Sequence, residues 1–184
     1  MKFILPIFTL LSILLATACG GGADVPEPVV ADNADVGATI QSDSWEVTLL
    51  DQPIKDYVID GPDGGVRIES DRELTSLTAE GVWIIVPIQL KNIGEEEAML
   101  FQKTITVADD QGRTYEIGDR HVHHAQIWEA APDRWGDREN QLIQNVQDAE
   151  AVREGPALFD VAEDATGLRL VLNGSSDTIS LGFD

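Results

Sequence analysis

Near its centre the chain reads Gly81-Val-Trp-Ile-Ile-Val-Pro-Ile-Gln-Leu-Lys-Asn92, and this stretch decides the fold. Apolar residues occupy every second position of it, namely Val82, Ile84, Val86, Ile88 and Leu90. That period of two is typical of a β-strand with one buried face. The opposite face is also mostly apolar, with Trp83, Ile85, Pro87 and Gln89, so we expect both faces to be largely buried. Pro87 has no N–H to donate, which predicts an edge position or a bulge.

Shorter segments on both sides repeat the period of two. They are Trp45–Leu49, Ile105–Val107, Thr114–Ile117, and residues 157–161, 168–172 and 178–183. Asp109-Asp-Gln-Gly112 and Asn173-Gly174 separate consecutive segments and are typical of tight turns. Many short strands with turn signals between them predict an all-β, antiparallel β-sandwich.

One region departs from this period. Its apolar residues recur at helical spacing, as Leu142, Ile143, Val146, Ala149 and Val152. Asp137 is a suitable cap before the region, and Gly155-Pro156 follows it. The pattern predicts one amphipathic helix over residues 138–152, packed on the sandwich. A shorter helical turn is predicted over residues 125–131, before Pro132.

The N-terminus carries an export signal. Lys2 precedes an apolar run over residues 3–15, and Ala16-Thr17-Ala18 precedes Cys19, the only cysteine. This pattern predicts a cleaved signal peptide over residues 1–18. The run is shorter than the roughly 20 residues that a helix needs to cross a bilayer. A cysteine after such a cleavage site also resembles a bacterial lipobox, which predicts a lipid anchor on Cys19. Simple secretion is the alternative, because Ala16 stands where lipoboxes usually carry Leu.

Composition then divides the mature chain in two. Residues 19–35 are rich in glycine, proline and acidic residues without an apolar period, which predicts a lipidated, disordered tether. Fully extended, it would reach about 50 Å from the membrane. Residues 36–184 are the predicted folded domain. With a single cysteine, no disulfide forms within the chain, so the domain depends on its apolar core.

The chain is strongly acidic, with 33 acidic and 12 basic residues and a net charge of −21. Such a charge excludes nucleic acid as a partner, because phosphate binding requires a basic surface. It also repels anionic lipid headgroups. Two interpretations of the charge remain open, namely solubility and a cation-binding surface.

Three ordered motifs resemble one large bacterial family. They are residues 81–94, Asp109-Asp-Gln-Gly112-Arg-Thr-Tyr115, and Ala157-Leu-Phe159-Asp160-Val161 followed by residues 168–172. The family consists of exported lipoproteins with a domain of unknown function, an immunoglobulin-like β-sandwich related to secreted immunogenic proteins. The resemblance covers residues 36–184 and implies no catalytic residues. Residues 146–150 and Ala162 depart from it, since the family usually has a Pro-Gly pair and a proline there.

Asp119-Arg-His121-Val-His123-His124 is the best candidate for metal chemistry, because it holds all three histidines. In an extended segment His121 and His123 share one face, and with Asp119 they suit Zn or Cu. The alternative is a polar surface loop. Residues 60–65 and Asp109-Asp110 offer carboxylates for Ca, although turns explain the same residues.

Trp128 and Trp135 flank Pro132 in the least family-like region. They predict either an exposed aromatic patch for a peptide or glycan, or a cover for the end of the sandwich.

The sequence contains no Gly-x-Ser-x-Gly elbow, no phosphate-binding glycine loop and no free cysteine nucleophile. We therefore expect no enzyme and no cofactor, but a lipid-anchored binding or scaffolding module of the cell envelope. Its partners would be the membrane, through Cys19, and an unknown envelope protein, peptide or glycan. Gly20 predicts outer-membrane sorting if the cell has two membranes. The alternatives are a metal-handling protein using His121, His123 and His124, and a hydrolase with acidic catalytic residues.

Overall fold

The structure is a computed structural model, and it describes residues 26–60, 66–67, 73–74, 76–101, 103–117 and 146–184. Over these residues the chain forms strands and no helix. The strands are β1 (Val29–Val30), β2 (Thr39–Gln41), β3 (Trp45–Leu49), β4 (Ile54–Asp60), β5 (Val66–Arg67), β6 (Glu73–Leu74), β7 (Ser76–Asn92), β8 (Ala98–Met99), β9 (Ile105–Ala108), β10 (Thr114–Glu116), β11 (Val146–Gln147), β12 (Val152–Val161), β13 (Arg169–Leu172) and β14 (Thr178–Ser180). None of the described segments forms a helix long and apolar enough to cross a membrane.

Strand β7, which contains the central apolar stretch, is the middle of the larger sheet. Strand β12 runs antiparallel along one of its edges, from Val82 to Lys91. Two strands share the other edge, because β4 pairs with β7 up to Ile85 and β3 pairs with it from Ile88. Strand β1 extends this sheet beyond β4, and β2 extends it beyond β3.

The second sheet has the order β10-β9-β13-β14 and packs against the first. The five alternating residues predicted for one face of β7 are each at most 1% exposed and form the centre of the core. The second sheet contributes Ile105, Val107, Leu170, Leu172 and Ile179 to the same core. Fully burying a side chain of this size contributes about 1.5–3 kcal/mol. The prediction of an all-β antiparallel sandwich is confirmed.

The other face of β7 is buried as well, as its sequence predicts. Trp83, Ile85 and Leu158 form a second apolar cluster there with Ile59 and Leu77. The Trp83 indole donates a hydrogen bond to the carbonyl of Leu77 (3.1 Å), so its polar atom is satisfied inside this cluster.

The prediction that Pro87 marks an edge or a bulge is wrong. Pro87 lies in the central strand, at the point where β4 ends and β3 begins on one edge. Its carbonyl accepts a hydrogen bond from the Leu50 amide (2.9 Å), so its nitrogen also points toward that edge. Its partner on β12 is Pro156, and neither proline nitrogen faces the other strand. The N–H groups that the two prolines lack would not have bonded across this pair, so the hydrogen bonds between β7 and β12 are unaffected.

The helix predicted over residues 138–152 is wrong where the structure describes it. Val146–Gln147 forms β11, which pairs with β8, and residues 148–150 form a turn before β12 begins at Val152. The helical spacing arose because apolar residues of two separate strands lie on either side of a turn. Pairing with β8 and β7 outweighs the local propensity. Residues 138–145 and the helical turn predicted over residues 125–131 lie outside the described residues.

The folded part also begins earlier than predicted. Val29–Val30 pairs with β4, Ala31 is buried, and its amide donates to the carbonyl of Pro53 (2.9 Å). Residues 29–35 of the predicted tether therefore belong to the folded part. Its composition hid this strand because two valines between prolines and acidic residues show no apolar period.

Candidate functional site

A cavity of about 420 Å³ lies at the end of the sandwich where the N-terminal segment joins the fold. We call it the N-terminal cavity. Its walls come from three places in the chain, namely residues 26–32 with the adjacent part of β4, the loop between β12 and β13, and the segment after β14. Pockets of roughly 300–1,000 Å³ are the usual size for small-molecule sites.

The first wall is built by the pairing of β1 with β4. Val29 lies opposite Lys55 and Val30 opposite Ile54, which places both valines and Lys55 beside Tyr57. Each of the two valines is 55% exposed. Because these valines stay largely exposed, they contribute little buried surface to the fold. Their apolar surface is therefore accessible to a ligand.

The second wall is the loop between β12 and β13, which contributes Glu163, Ala165 and Thr166. The turn between β9 and β10 holds this loop in place. The Thr166 hydroxyl donates to the Asp110 carboxylate (2.9 Å), and the Asp110 amide donates to the carbonyl of Thr166 (3.0 Å). Arg113 donates to the Asp164 carboxylate (2.8 Å) in the same way.

Asp109 organises that turn from within. One of its carboxylate oxygens accepts from the amides of Gln111 (3.0 Å) and Arg113 (2.8 Å). The other accepts from the Arg113 guanidinium and from the Tyr115 hydroxyl (3.0 Å). The Asp109 side chain is fully buried, so this network replaces its hydration. The motif Asp109–Tyr115 therefore has a structural role, since this turn holds the loop between β12 and β13 in place; we call it the Asp109 clamp.

The pKa directions in this clamp follow from its contacts. Burial acts to raise the pKa of Asp109, but the hydrogen bonds from Arg113 and Tyr115 outweigh it and hold that pKa below 3.8. Hydrogen bonds to Asp109 and then Asp164 raise the pKa of Arg113. Burial, followed by the bond donated to Asp109, raises the pKa of Tyr115. Asp109 and Arg113 are thus a charged pair, with Tyr115 kept as a neutral donor.

The third wall is the segment after β14, which contributes Phe183. The amide of Gly167 donates to the carbonyl of Phe183 (2.8 Å), which ties this wall to the second one. Gly182 has a positive φ of 72°, and a Cβ there would stand 2.5 Å from the Ala34 nitrogen. Glycine is therefore required where the segment crosses the N-terminal part of the chain.

The cavity lining is strongly acidic. Four carboxylate side chains line it, on Glu27, Asp32, Glu163 and Asp184, and the basic side chain there is Lys55. Within the described part of the chain, none of these five side chains makes a hydrogen bond or an ion pair. The carboxylates of Asp109 and Asp160, in contrast, are occupied by bonds inside the fold. The lining charges of the N-terminal cavity remain available to a ligand.

A second cavity of about 450 Å³ adjoins the first at Glu163. It lies at the C-terminal end of β12, beside the point in β7 where the pairing with β12 begins, and its lining includes Asp160 and Gly81. The two oxygens of Asp160 accept from the amides of Glu80 (2.7 Å) and Gly81 (3.0 Å), which fixes the strand end. This cavity has no aromatic lining residue, so the N-terminal cavity is the better candidate.

Most residues singled out from the sequence lie outside the described residues. This applies to Cys19, to Asp119, His121, His123 and His124, and to Trp128 and Trp135. No group of metal-ligating side chains occurs within the described ranges. At Asp109-Asp110 the hydrogen bonds support the turn interpretation, because both carboxylate oxygens of Asp109 and one of Asp110 already accept protein donors. Residues 61–65 lie outside the described part.

Sequence reasoning missed the N-terminal cavity. Its apolar and acidic residues come from three distant segments, and none of these segments carries a known ligand motif. A usable signal was the adjacent pair Val29-Val30 in a stretch rich in glycine, proline and acidic residues.

No protein-family model and no curated protein matches this chain. A solved structure of a conserved hypothetical protein from Bacillus anthracis is similar, with a TM-score of 0.55 and 13% identity over 85% of this chain and 98% of that one. An uncharacterized β-sandwich protein from Clostridium difficile has a TM-score of 0.39 and 14% identity over 78% and 89% of the two chains. At 13% identity the first likeness shows a shared fold alone. This chain thus carries a β-sandwich domain similar in fold to a protein of unknown function.

Proposed function

We propose that this protein is an exported lipoprotein that acts as a non-catalytic binding module of the cell envelope. The anchor would be a lipid on Cys19, and the ligand site would be the N-terminal cavity. The observation that carries the proposal is the combination, in one cavity of about 420 Å³, of exposed valines, aromatic side chains and carboxylates that have no partner among the described residues. Outer-membrane sorting, predicted from Gly20, belongs to the same proposal.

The position of β1 sharpens this proposal. Residues 19–29 can span at most about 35 Å when fully extended, which is less than the predicted tether of residues 19–35 would allow. The cavity is lined by Val29 itself, so a lipid on Cys19 would hold it close to the membrane. A ligand would therefore be captured at the membrane surface rather than far from it.

The anchor is tested by replacing its nucleophile. In the native host, the wild-type chain should incorporate a palmitate analogue, lose residues 1–18 and sediment with membranes. The Cys19→Ala variant should remain unlabelled and keep its signal peptide. A native product that retains Met1, or equal labelling of both chains, would refute the lipoprotein assignment.

The binding role is tested separately, by photo-crosslinking in intact cells. A photoreactive amino acid at Val30 should yield a specific adduct in the envelope fraction, because Val30 lines the cavity. The matched control is Val36, which is 45% exposed but lies outside the cavity lining. Equal adducts at both positions, or none at Val30, would refute binding at this cavity.

The metal-handling alternative remains a prediction, since His121, His123 and His124 lie outside the described residues. A zinc assay of the purified chain, with a His121→Ala/His123→Ala double variant as its control, tests it independently of the cavity.

A further inference from the structure

The chemistry of the N-terminal cavity narrows the class of its ligand. The apolar part of the lining includes Val29, Val30, Tyr57 and Phe183, which suits a ligand with an aliphatic or aromatic body. Tyr57 and Phe183 are partly buried and pack against the main core, so they are held firmly where they line the cavity. Within the described part of the chain, the Tyr57 hydroxyl makes no hydrogen bond, and it remains available to a polar group of the ligand.

The charges that line the cavity determine which sign of charge the ligand should carry. Four carboxylates against one ammonium group give the lining a net negative charge. All four of these acidic residues are exposed, so water and salt screen each charge, and the preference for a cation comes from their number. A cation entering the cavity would relieve the repulsion among Glu27, Asp32, Glu163 and Asp184, whereas an anion would increase it. The whole chain, with its net charge of −21, would also attract a cation from a distance.

We propose that the N-terminal cavity binds a small organic cation, in which an amine is attached to an apolar body. The amine would pair with the carboxylates, and the body would contact Val29, Val30, Tyr57 and Phe183. This inference rests on the proposed function, because it takes the cavity to be the ligand site. It adds the chemical class of the ligand.

Three probes that share one ring system test the sign of the charge. Tryptamine, its neutral alcohol analogue tryptophol and the anion indole-3-acetate are titrated into the purified full chain in detergent, with calorimetry as the readout. Tryptamine should bind saturably and at least about threefold more tightly than tryptophol, and its advantage should shrink as salt is raised. Indole-3-acetate should bind most weakly. Absence of saturable tryptamine binding, or equal affinity for the three probes, would overturn the inference.

Charge variants of the lining then identify the site. Glu163→Gln and Glu27→Gln should each weaken tryptamine binding by about two- to fivefold and leave tryptophol binding unchanged. Lys55→Gln should tighten tryptamine binding, because it removes the like charge. Glu97→Gln is the matched control, since it makes the same change of net charge at an exposed position outside the cavity lining. These side chains have no bonds to lose among the residues that the structure describes, so each variant should keep the wild-type melting temperature.

The outcomes separate this inference from the proposed function. A specific adduct at Val30 together with no preference for tryptamine would leave the binding role intact and overturn the ligand class. Tryptamine binding that responds equally to Glu97→Gln and Glu163→Gln would show general charge attraction and overturn the assignment of the site. Loss of both the adduct and the amine preference would remove both proposals.

Discussion

Asn92 offers the sharpest test of how this fold is held together. Its side chain is fully buried at the end of β7. The amide nitrogen donates to the carbonyls of Glu96 (2.9 Å), Gln147 (3.1 Å) and Asp148 (3.1 Å), and the amide oxygen accepts from the Gly94 nitrogen (2.9 Å). One side chain thus joins the end of β7 to the loop before β8 and to the turn after β11.

The Asn92→Ala variant should lose about 3 kcal/mol of unfolding free energy. The two amide hydrogens and the oxygen correspond to about three hydrogen bonds, each with a net value of about 1 kcal/mol. The three carbonyls and the Gly94 amide would each lose a hydrogen bond at the place where the Asn92 side chain is buried. Buried polar groups without partners are costly, so we do not expect a smaller loss. Urea denaturation followed by tryptophan fluorescence measures the change, and the midpoint should fall while the slope stays constant.

The Asn92→Asp variant distinguishes the contribution of the amide donors from that of side-chain size, because Asp has nearly the same shape as Asn but, as a carboxylate, donates no hydrogen bond. The carboxylate keeps the acceptor for Gly94 but brings a negative oxygen against the carbonyls that the amide nitrogen contacted. We expect this variant to be less stable than Asn92→Ala at neutral pH. Its folded-state pKa should lie above the unfolded value of about 3.9, so its stability should be highest below that pH and should decline as the pH rises toward the folded-state pKa.

The matched control is Asn33→Ala. Asn33 is exposed, and its side chain makes no hydrogen bond within the described part of the chain. Its replacement should change the unfolding free energy by less than about 0.5 kcal/mol. If Asn92→Ala resembles Asn33→Ala, or if Asn92→Asp is as stable as the wild type at neutral pH, the argument is refuted.

Three further predictions concern the core, a strand contact and the pH dependence. Phe159→Ala should cost about 3–5 kcal/mol because Phe159 is fully buried between the sheets, whereas Val36→Ala should cost little; equal urea midpoints for the two would contradict the core assignment. Gly81→Ala brings a Cβ into steric overlap with the Val161 carbonyl oxygen, so it should cost about 1–3 kcal/mol, and an unchanged melting temperature would count against this contact. The lowered pKa of Asp109 means that its carboxylate stabilises the fold above pH 3.8 and loses this contribution as the pH falls through the lower folded-state value. The difference in urea midpoint between wild type and Asp109→Asn should therefore shrink below pH 3.8, and a difference independent of pH would refute it.

Local patterns predicted most of the sandwich. The alternation in Trp45–Leu49 appears in the structure as alternating buried and half-buried residues along β3, and the central stretch, apolar on both faces, is buried without a break from Val82 to Ile88. The turn at Asn173-Gly174 forms with a bond from the Ser175 amide to the Leu172 carbonyl (2.9 Å) and a positive φ of 88° at Gly174. These features were predictable because successive side chains of a strand point to opposite faces of the sheet, and because a tight turn requires particular residue types.

Non-local pairing explains where the sequence analysis failed. The spacing of Val146 and Val152 suggested a helix, yet each belongs to a strand whose partner is far away in the chain, at Met99 and Lys91 respectively. The setting of Pro87 also depends on pairing with distant parts of the chain. A proline in a central strand is tolerated only because its nitrogen faces the junction between two partner strands, and such a junction has no local signature.

By itself, the amino-acid sequence determined the strand period, the turns and the absence of an internal disulfide, and it predicts an export signal that ends before Cys19. Each of these depends on composition or on residues close together in the chain. Only the tertiary structure decided the N-terminal cavity. Val29, Lys55, Glu163 and Phe183 line one space although they are widely separated in the sequence. They meet because β1 pairs with β4, the Asp109 turn holds the loop after β12, and the segment after β14 is bonded to that loop. The lining charges and the exposed valines follow no periodic pattern in the sequence, so their proximity becomes apparent only in the folded structure.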